Sequence, residues 1–150
     1  MRFAHTNIVS RDWKALADFY VSAFDCKVVP PIRQQSGAWL DQGTGLRNAK
    51  LEGAHLLLPG HGENGPTLEI YQYETLVPEE RPAPNMTGLR HLAFEVEHVE
   101  EALERVEQHG GTAQGLLTVR EVPGAGVITF VYARDPEGNL IELQSWQRGA

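Results

Sequence analysis

The chain repeats one order of secondary structure, and this repeat limits how it can fold more than any other feature. Each copy opens with a strand-like run that carries a His near its start, and continues with an amphipathic helix and further strand-like runs. The last run of each copy places an acid between two apolar residues, as TLEIY in the first copy and LIEL in the second. Repetition of this kind predicts two similar modules that pack with pseudo-twofold symmetry.

The alternation of residues in these runs predicts where four polar side chains point. Successive side chains of a strand lie on opposite faces, so the apolar neighbours of Glu69 and Glu142 occupy the face away from the acids. His91 alternates with apolar residues in the same way, and His5 does so more weakly. We therefore expect two His and two Glu to converge inside a curved sheet, with the helices covering its other face.

The repeat also predicts how the chain is organised. The first module extends over about 1–74 and the second over about 88–146, with a Pro-rich polar linker at about 75–87. The order of elements predicts an α+β fold of two tandem β-α-β-β-β modules. Because 41% of the 150 residues are hydrophobic, the chain can bury a sizeable core, and we expect a single domain over 1–150.

Local signals predict the ends of several elements. Ser10 is the expected N-cap of the first helix, and Gly110–Gly111 is expected to end the second. The runs Val127–Ala133 and Leu140–Trp146 flank a turn rich in Asp, Pro and Gly, which predicts a hairpin. The stretch from Pro30 to Lys50 contains QQSG and DQGTG, and is predicted to be a loop that lengthens the first module.

Composition excludes several classes of protein. A formal charge of −7 disfavours nucleic-acid binding, which requires a basic face. No apolar run is long enough for a membrane helix, and because the first strand-like run begins at once we expect no signal peptide. Cys26 is the only cysteine, so no internal disulfide can form, and a cytoplasmic setting is expected.

The four convergent side chains are candidate metal ligands, namely His5, Glu69, His91 and Glu142. Imidazole nitrogen and carboxylate oxygen suit Zn, Ni, Co, Mn or Fe(II), and no thiolate favours a softer metal. Either His alone would more simply be a structural residue. Because all four occupy matched places in a repeat, the pattern favours one divalent metal ion.

The remaining four histidines have no such matched placement. They are His55, His61, His98 and His109. We expect them to be ordinary surface, capping or packing residues, with His55 and His61 as the two that could line a pocket.

Several motifs resemble the vicinal oxygen chelate superfamily. They are HTNIVSRDWKALADFY, TLEIYQY, GLRHLAFEVEHVEEALERVEQHGG and DPEGNLIEL, and the resemblance covers Arg2 to Trp146. This superfamily includes glyoxalase I, methylmalonyl-CoA epimerase, extradiol dioxygenases, fosfomycin-resistance enzymes and bleomycin-binding proteins. The resemblance implies paired modules around a cupped, mostly antiparallel sheet with helices on its outer face. It also places the metal at the same four His and Glu positions.

Acids at both Glu positions look more like the glyoxalase I and epimerase branches. Extradiol enzymes use two His and one Glu, and the bleomycin-binding branch needs no metal quartet. Val9 stands where glutathione-dependent glyoxalase I tends to carry an Arg, and no basic pair marks a CoA phosphate site. The residues therefore identify the superfamily and leave the thiol cofactor, the native metal and the substrate open.

The resemblance implies a metal-dependent lyase or isomerase that acts by α-proton transfer. A small substrate with two neighbouring oxygens would chelate the metal, which acts as a Lewis acid and stabilises an enediolate or enolate. Either Glu69 or Glu142 would leave the metal and act as the general base. Further candidates for substrate binding share the inferred inner face, and they are Asn7, Tyr71, Glu95, Gln144 and Trp146.

Two other classes of function remain open at this point. One is an Fe(II) ring-cleaving dioxygenase, and the other is a non-catalytic protein that binds a small molecule or confers resistance. The open edges of a cupped sheet and the family resemblance both predict a homodimer. Within that dimer, the metal site could be assembled in one chain or across two.

Overall fold

The structure, a computed structural model, describes residues 1–77 and 81–148. Within these ranges the chain forms nine strands and three helices, which confirms the α+β class. The chain divides into two compact units, Met1–Glu79 and Glu80–Ala150. Residues 78–80 of the predicted linker lie outside the described part. The grouping of both modules into one domain stays a prediction.

The first unit contains a four-stranded sheet and two helices. Its elements are β1 (His5–Val9), α1 (Trp13–Phe24), β2 (Lys27–Ser36), α2 (Ala38–Thr44), β3 (Lys50–Leu57) and β4 (Thr67–Tyr73). The strand order is β1-β4-β3-β2, with β1 parallel to β4 and the other neighbours antiparallel. The buried face of this sheet includes Leu56, Leu68 and Ile70, and α1 packs against β3 and β4. The opposite face is therefore left for the polar side chains.

The start of α1 differs from the prediction. The helix begins at Trp13, and its N-cap is Asp12, whose carboxylate accepts a hydrogen bond from the backbone N–H of Ala15 at 3.1 Å. Ser10 instead extends the pairing of β1, because its N–H donates to the carbonyl of Tyr71 at 2.7 Å. The capping signal was correct in kind but two residues too early, since Ser and Asp are both good N-caps.

The stretch from Pro30 to Lys50, predicted to be a loop, is mostly regular structure. Its first part belongs to β2, which pairs with β3 and has a register irregularity between Val29 and Arg33. The irregularity contains both prolines, and β2 is an edge strand. Proline is tolerated at edges and bulges because the missing N–H need not join the ladder. Proline content therefore did not exclude a strand here.

The second part of the same stretch forms the short helix α2. Its only fully buried side chain, Leu40, packs with Ala49, Leu51 and Tyr71 on the face of the sheet opposite α1. The carboxylate of Asp41 accepts hydrogen bonds from the backbone N–H groups of residues 48 and 49, at 2.9 and 2.7 Å. A helix of this length with an internal Gly is weak by itself, so tertiary packing decides its formation.

The second unit repeats the plan with a five-stranded sheet. Its elements are β5 (His91–Glu95), α3 (Val99–Gln108), β6 (Thr112–Ala113), β7 (Thr118–Val122), β8 (Gly126–Arg134) and β9 (Leu140–Gln147). The order is β5-β9-β8-β6, and β7 also pairs with β8. As in the first unit, the opening strand is parallel to the last one, and α3 packs against β8 and β9. The predicted end of α3 is confirmed, since Gly110 follows it with φ 93°.

The predicted hairpin between β8 and β9 is confirmed. The carboxylate of Asp135 accepts hydrogen bonds from the N–H groups of Glu137 and Asn139, both at 2.9 Å, and so closes the turn. Arg134 is buried beside it and donates to the carbonyl oxygens of Gly138 and Pro82. The bonds within the turn, from Asp135 and from Arg134 to Gly138, hold β9 in register with β8.

In the part of the chain that the structure describes, no helix is long and apolar enough to cross a membrane.

Candidate functional site

Glu69 lies at the middle of the polar face in the first unit. Its neighbours Leu68 and Ile70 are fully buried, and its own side chain is 12% exposed on the opposite face. The register pairs it with Asn7 on the parallel strand β1 and with His55 on the antiparallel strand β3. Strand pairing therefore surrounds this acid with nitrogen-bearing side chains.

The two oxygens of Glu69 have different partners. Oε2 lies 3.3 Å from Nε2 of His5 and accepts a hydrogen bond from Nδ2 of Asn7 at 3.4 Å. Oε1 lies 2.9 Å from Nε2 of His55 and accepts a hydrogen bond from the hydroxyl of Tyr71 at 3.2 Å. One oxygen therefore faces the predicted ligand His5, and the other faces a tyrosine and a histidine.

His55 is held at both of its ring nitrogens. Nε2 also lies 2.8 Å from the hydroxyl of Tyr71, and Nδ1 lies 3.2 Å from Oγ1 of Thr67. Burial lowers the pKa of His55 below its usual value of 6.5, and this outweighs the opposing effect of Glu69. The lowered pKa favours the neutral ring at pH 7, so the contact of His55 with the carboxylate is not an ion pair.

Tyr71 remains a hydrogen-bond donor across the accessible pH range. Burial, followed by the nearby charge of Glu69, raises the pKa of its hydroxyl to about 12. Its ring lies over Gly53, its register partner on β3, where an added Cβ would lie only 2.6 Å from Cδ1 of the ring. A residue without a side chain at position 53 therefore allows the tyrosine to reach Glu69.

Glu142 is the corresponding acid of the second unit. Its Oε2 lies 3.1 Å from Nε2 of His91, and the exposed fractions of the two side chains are 15% and 35%. Tyr132 is its register partner on β8, and burial followed by the Glu142 charge raises the pKa of that tyrosine. The tyrosine also hydrogen-bonds to Glu142, and its ring packs edge-on against His91 at 5.2 Å.

The two units place their His–Glu pairs at matched points of the ladder. Glu69 is the register partner of Asn7 and Glu142 that of Ala93, and each His precedes this partner by two residues. The polar surroundings differ, however. Asn7 and His55 flank Glu69, whereas Ala93 and Tyr132 occupy the corresponding positions beside Glu142. The repeat therefore preserves the pairs and varies the residues around them.

The other predicted substrate-binding residues of the second unit bond mainly to one another or to solvent-exposed partners. Nε1 of Trp146 donates to Oε1 of Gln144 at 2.9 Å. Glu95 is exposed and pairs with Arg148 at 3.2 Å. All three lie on the same face of the sheet as Glu142. Among the described residues, however, it is Asn7 and Tyr71 of the first unit that contact a predicted ligand.

The donor atoms of each pair are spaced as metal ligands would be. Ligand atoms about 2.1 Å from one ion lie roughly 3.0 Å apart across an octahedral edge and roughly 3.4 Å apart across a tetrahedral edge. The observed separations are 3.3 Å for His5–Glu69 and 3.1 Å for His91–Glu142. Imidazole and carboxylate also suit the predicted divalent ions. Within residues 1–77 and 81–148, no three His, Cys, Asp or Glu side chains form a metal-binding group.

Sequence reasoning underestimated His55 and did not name Tyr132. His55 was expected to be an ordinary residue that could line a pocket, yet it contacts Glu69 directly. Both residues are the antiparallel register partners of the acids. The sequence predicts which residues share a face with them within each strand. The register that brings them opposite Glu69 and Glu142, however, depends on strand pairing.

Known proteins resemble this chain in sequence and in fold. The uncharacterized protein YaeR of Escherichia coli K12 is 37% identical over 77 residues, which are 51% of this chain and 55% of YaeR. The chain thus matches about half the length of that relative. A crystal structure of a glyoxalase family protein from Bacillus cereus has a TM-score of 0.75 and 23% identity, over 97% of this chain and 93% of the other.

A third relative is the fosfomycin resistance protein FosX of Listeria monocytogenes, whose structure contains Mn(II) and 1S,2S-dihydroxypropylphosphonic acid. Its TM-score is 0.56 at 17% identity, over 97% of this chain and 93% of the other, so the likeness concerns the fold. A family model described as the Glyoxalase/Bleomycin resistance protein/Dioxygenase superfamily matches residues 2–143. That superfamily includes metal-dependent isomerases, dioxygenases and resistance proteins. The chain therefore belongs to the glyoxalase/bleomycin resistance protein/dioxygenase superfamily, as its motifs predicted.

Proposed function

We propose that this protein is a metal-dependent lyase or isomerase that transfers an α-proton of a small substrate with two neighbouring oxygens. The observation that carries the proposal is the matched pair in each unit, His5 with Glu69 and His91 with Glu142. A carboxylate next to an imidazole offers both a ligand set and a general base. The structure of FosX contains Mn(II), and this supports a metal-dependent function for a member of the same superfamily.

His5, Glu69, His91 and Glu142 are the proposed ligands of one divalent ion, which would be Zn, Ni, Co, Mn or Fe(II). When bound, the ion supplies Lewis acidity toward the two substrate oxygens and so lowers the cost of removing the neighbouring proton. The chain's own residues hold the carboxylates in place and accept the proton. The assembly of the four ligands, within one chain or across two, is left to experiment.

Glu142 is the proposed general base. Among the described residues, it contacts His91 and Tyr132, whereas Glu69 contacts His5, Asn7, His55 and Tyr71. Moving a carboxylate away from hydrogen-bond donors costs free energy for each bond that is lost, typically about 1 kcal/mol or more. Glu142 has fewer bonds to lose, so it is the acid that can swing toward the substrate and take the proton.

The test is solvent deuterium exchange, measured by proton NMR without oxygen. Metal-stripped protein is reloaded separately with each divalent ion and mixed in deuterated buffer with 2-hydroxycarbonyl, 2-oxo and acyl-thioester substrates. Loss of the α-proton signal, abolished in His91→Ala but retained in His98→Ala, is the expected result. His98 is a suitable control because its side chain is 60% exposed and does not contact either acid.

Two other outcomes would replace the proposal. Oxygen consumption that requires Fe(II), without exchange on any substrate class, would identify a ring-cleaving dioxygenase. Submicromolar binding of a small molecule without either reaction would identify a non-catalytic binding or resistance protein. A small-molecule partner, a homodimeric assembly and a cytoplasmic setting remain part of the proposal.

A further inference from the structure

His55 contacts the predicted ligand Glu69 through the oxygen that faces away from His5. Its Nε2 lies 2.9 Å from Oε1 of Glu69, while Oε2 of the same carboxylate lies 3.3 Å from His5. Tyr71 donates to the same Oε1 at 3.2 Å. The carboxylate is therefore divided, with one oxygen turned toward His55 and Tyr71 and the other toward the predicted ligand His5.

The groups that contact Oε1 are themselves fixed. His55 is anchored at Nδ1 by Thr67, and Tyr71 is buried in the cluster formed by Leu40, Ala49 and Leu51. The side chain of His55 is 18% exposed, compared with 46% for His5. A partly buried imidazole with a hydrogen-bond partner at each ring nitrogen keeps its orientation better than an exposed one, so His55 can hold the acid in place.

We infer that His55 is a positioning residue that, together with Tyr71, clamps Oε1 of Glu69 and leaves Oε2 as the single oxygen available to a metal ion. The clamp requires a proton on Nε2 of His55, donated to Glu69, with Nδ1 accepting a hydrogen bond from the hydroxyl of Thr67. This inference rests on the proposed function in one respect only, namely that Oε2 binds a metal ion. Hydrogen bonds of this kind orient ligands and tune their affinity for the ion.

The opposite tautomer of His55 would give the ring a different role. If Nε2 of His55 carries no proton, its lone pair points toward the carboxylate and accepts from Tyr71, and the ring is then itself a candidate ligand. The position of one proton therefore separates a clamp from a third ligand. In the second unit, Tyr132 occupies the position that corresponds to His55, and its hydroxyl hydrogen-bonds to Glu142. Unlike His55, a tyrosine has no second polar ring atom through which a neighbour could anchor it.

The first experiment locates that proton by ¹⁵N NMR of the imidazoles in metal-free protein, with His55 assigned from the spectrum of His55→Gln. The expected signal is that of a neutral ring protonated at Nε2. On titration with Zn(II), His5 and His91 are expected to show metal-bound nitrogens while Nε2 of His55 keeps its proton. A ring protonated at Nδ1, or loss of the Nε2 proton on adding Zn(II), would overturn the clamp.

The same titration separates the two proposals. If Zn(II) changes neither His5 nor His91, the metal-dependent function fails, while the metal-free spectrum still tests the clamp. If Zn(II) binds as expected but Nε2 of His55 is unprotonated, the clamp fails and the proposed function stands.

The second experiment measures Co(II) affinity and the Co(II) absorption spectrum in His55→Phe, His55→Gln and Tyr71→Phe. His61→Gln is the matched control, because His61 is an exposed loop histidine of the same unit. Loss of an outer hydrogen bond to a ligand weakens metal binding by about 10–100-fold. We expect that loss in His55→Phe, partial recovery in His55→Gln, which can still donate, and no change in His61→Gln. Circular dichroism verifies that each variant folds.

The spectra give the decisive comparison. A positioning residue leaves the number and type of ligands unchanged, so His55→Phe should retain the band positions of wild type at saturating Co(II). Affinity of His55→Phe within twofold of wild type would show that His55 positions nothing. A spectrum with one nitrogen ligand fewer would show that His55 is a ligand.

Discussion

Glu69 and Glu142 occupy the same place in two copies of one plan, and their immediate neighbours make them unequal. Glu69 accepts from a tyrosine and an asparagine and contacts two imidazoles, whereas Glu142 contacts one imidazole and one tyrosine among the described residues. A restrained carboxylate is suited to remain a ligand, and a less restrained one is suited to move. The two acids therefore differ because individual residues around them differ, while the strand pairing is the same in both units.

Substitution of the two acids by glutamine should separate their roles. General-base catalysis contributes about 10²–10⁴-fold, so Glu142→Gln should lose that factor in exchange rate even at full metal loading. Glu69→Gln should lose metal affinity and keep more of its exchange rate once it is saturated. Both variants should fold, since each acid faces away from the buried side of its sheet. A larger loss of rate in Glu69→Gln would reverse the assignment.

Cys26 should be chemically inert in the folded protein. Its side chain is buried, and burial together with the neighbouring Asp25 raises the pKa of the thiol to about 12. Because the thiolate is the reactive form, labelling by a disulfide reagent at pH 8 should be at least ~100-fold slower in native protein than in urea. Similar rates in the two conditions would mean that the segment after α1 opens readily.

At the scale of elements, pairing between β3 and β4 builds the surroundings of Glu69. The antiparallel register brings His55 opposite the acid and Gly53 opposite Tyr71. A one-residue slip of this pairing would move every one of these side chains to the other face. The cluster around Leu40 closes the same end of the polar face. The site thus depends on correct packing of elements that are distant in sequence.

Gly53→Ala should damage the site and the fold together. An added Cβ would collide with the backbone carbonyl oxygen of Ile70 and would lie 2.6 Å from Cδ1 of Tyr71, so the strand itself must shift. Overpacking of this kind costs about 1–3 kcal/mol in the free energy of unfolding. Gly43→Ala is the control, because that position in α2 is open, and it should stabilise by about 0.5–1 kcal/mol. Urea unfolding of the two variants measures the contrast, and equal stabilities would contradict it.

Arg134 should be a stabilising link between the β8–β9 turn and two segments distant in sequence. It donates to Oε1 of Gln114 at 2.6 Å and to the carbonyls of Gly138 and Pro82 at 2.6 and 2.8 Å. Arg134→Met leaves these acceptors without their donor and should lower the free energy of unfolding by about 3 kcal/mol. Arg148→Met is the matched control, since its pair with Glu95 is exposed and should be worth less than about 1 kcal/mol. Equal urea midpoints for the two variants would show that the buried guanidinium is not a stabilising link.

For the whole molecule, the two units share one topology while differing in length and in local partners. In each of them the opening strand pairs in parallel with the last strand, and this places a His beside an acid. Each unit alone offers two ligands, fewer than a divalent ion of this class takes from protein and solvent together. The proposed four-ligand site therefore needs the His–Glu pairs of two units.

The protein should be a homodimer in solution. In the described residues, β1 and β5 are edge strands of their sheets, and exposed edges favour assembly with another chain. Closed twofold assemblies are the commonest way to cover them. Light scattering at micromolar concentration should give twice the mass of one chain, and a monomer would contradict the prediction.

The sequence by itself determined the features that depend on neighbouring residues. Alternation around Glu69 and Glu142 predicted their faces, because a strand reverses its side chains at every residue. The turn before Leu140 and the end of α3 at Gly110 followed from the backbone preferences of Asp, Pro and Gly, and the structure confirms both. The repeat also predicted the α+β class, since each copy carries its own hydrophobic pattern.

Only the tertiary structure decided the features that depend on contacts between distant segments. The helix α2 forms because Leu40 finds a buried place beside Leu51, although its own sequence has weak helical preference. His55 meets Glu69 because β3 and β4 pair in one register. Register is set by the packing of whole strands and not by residues within either one. The faces that carry the His–Glu pairs could therefore be predicted from the alternation of residues, whereas the groups that make the two acids unequal could not.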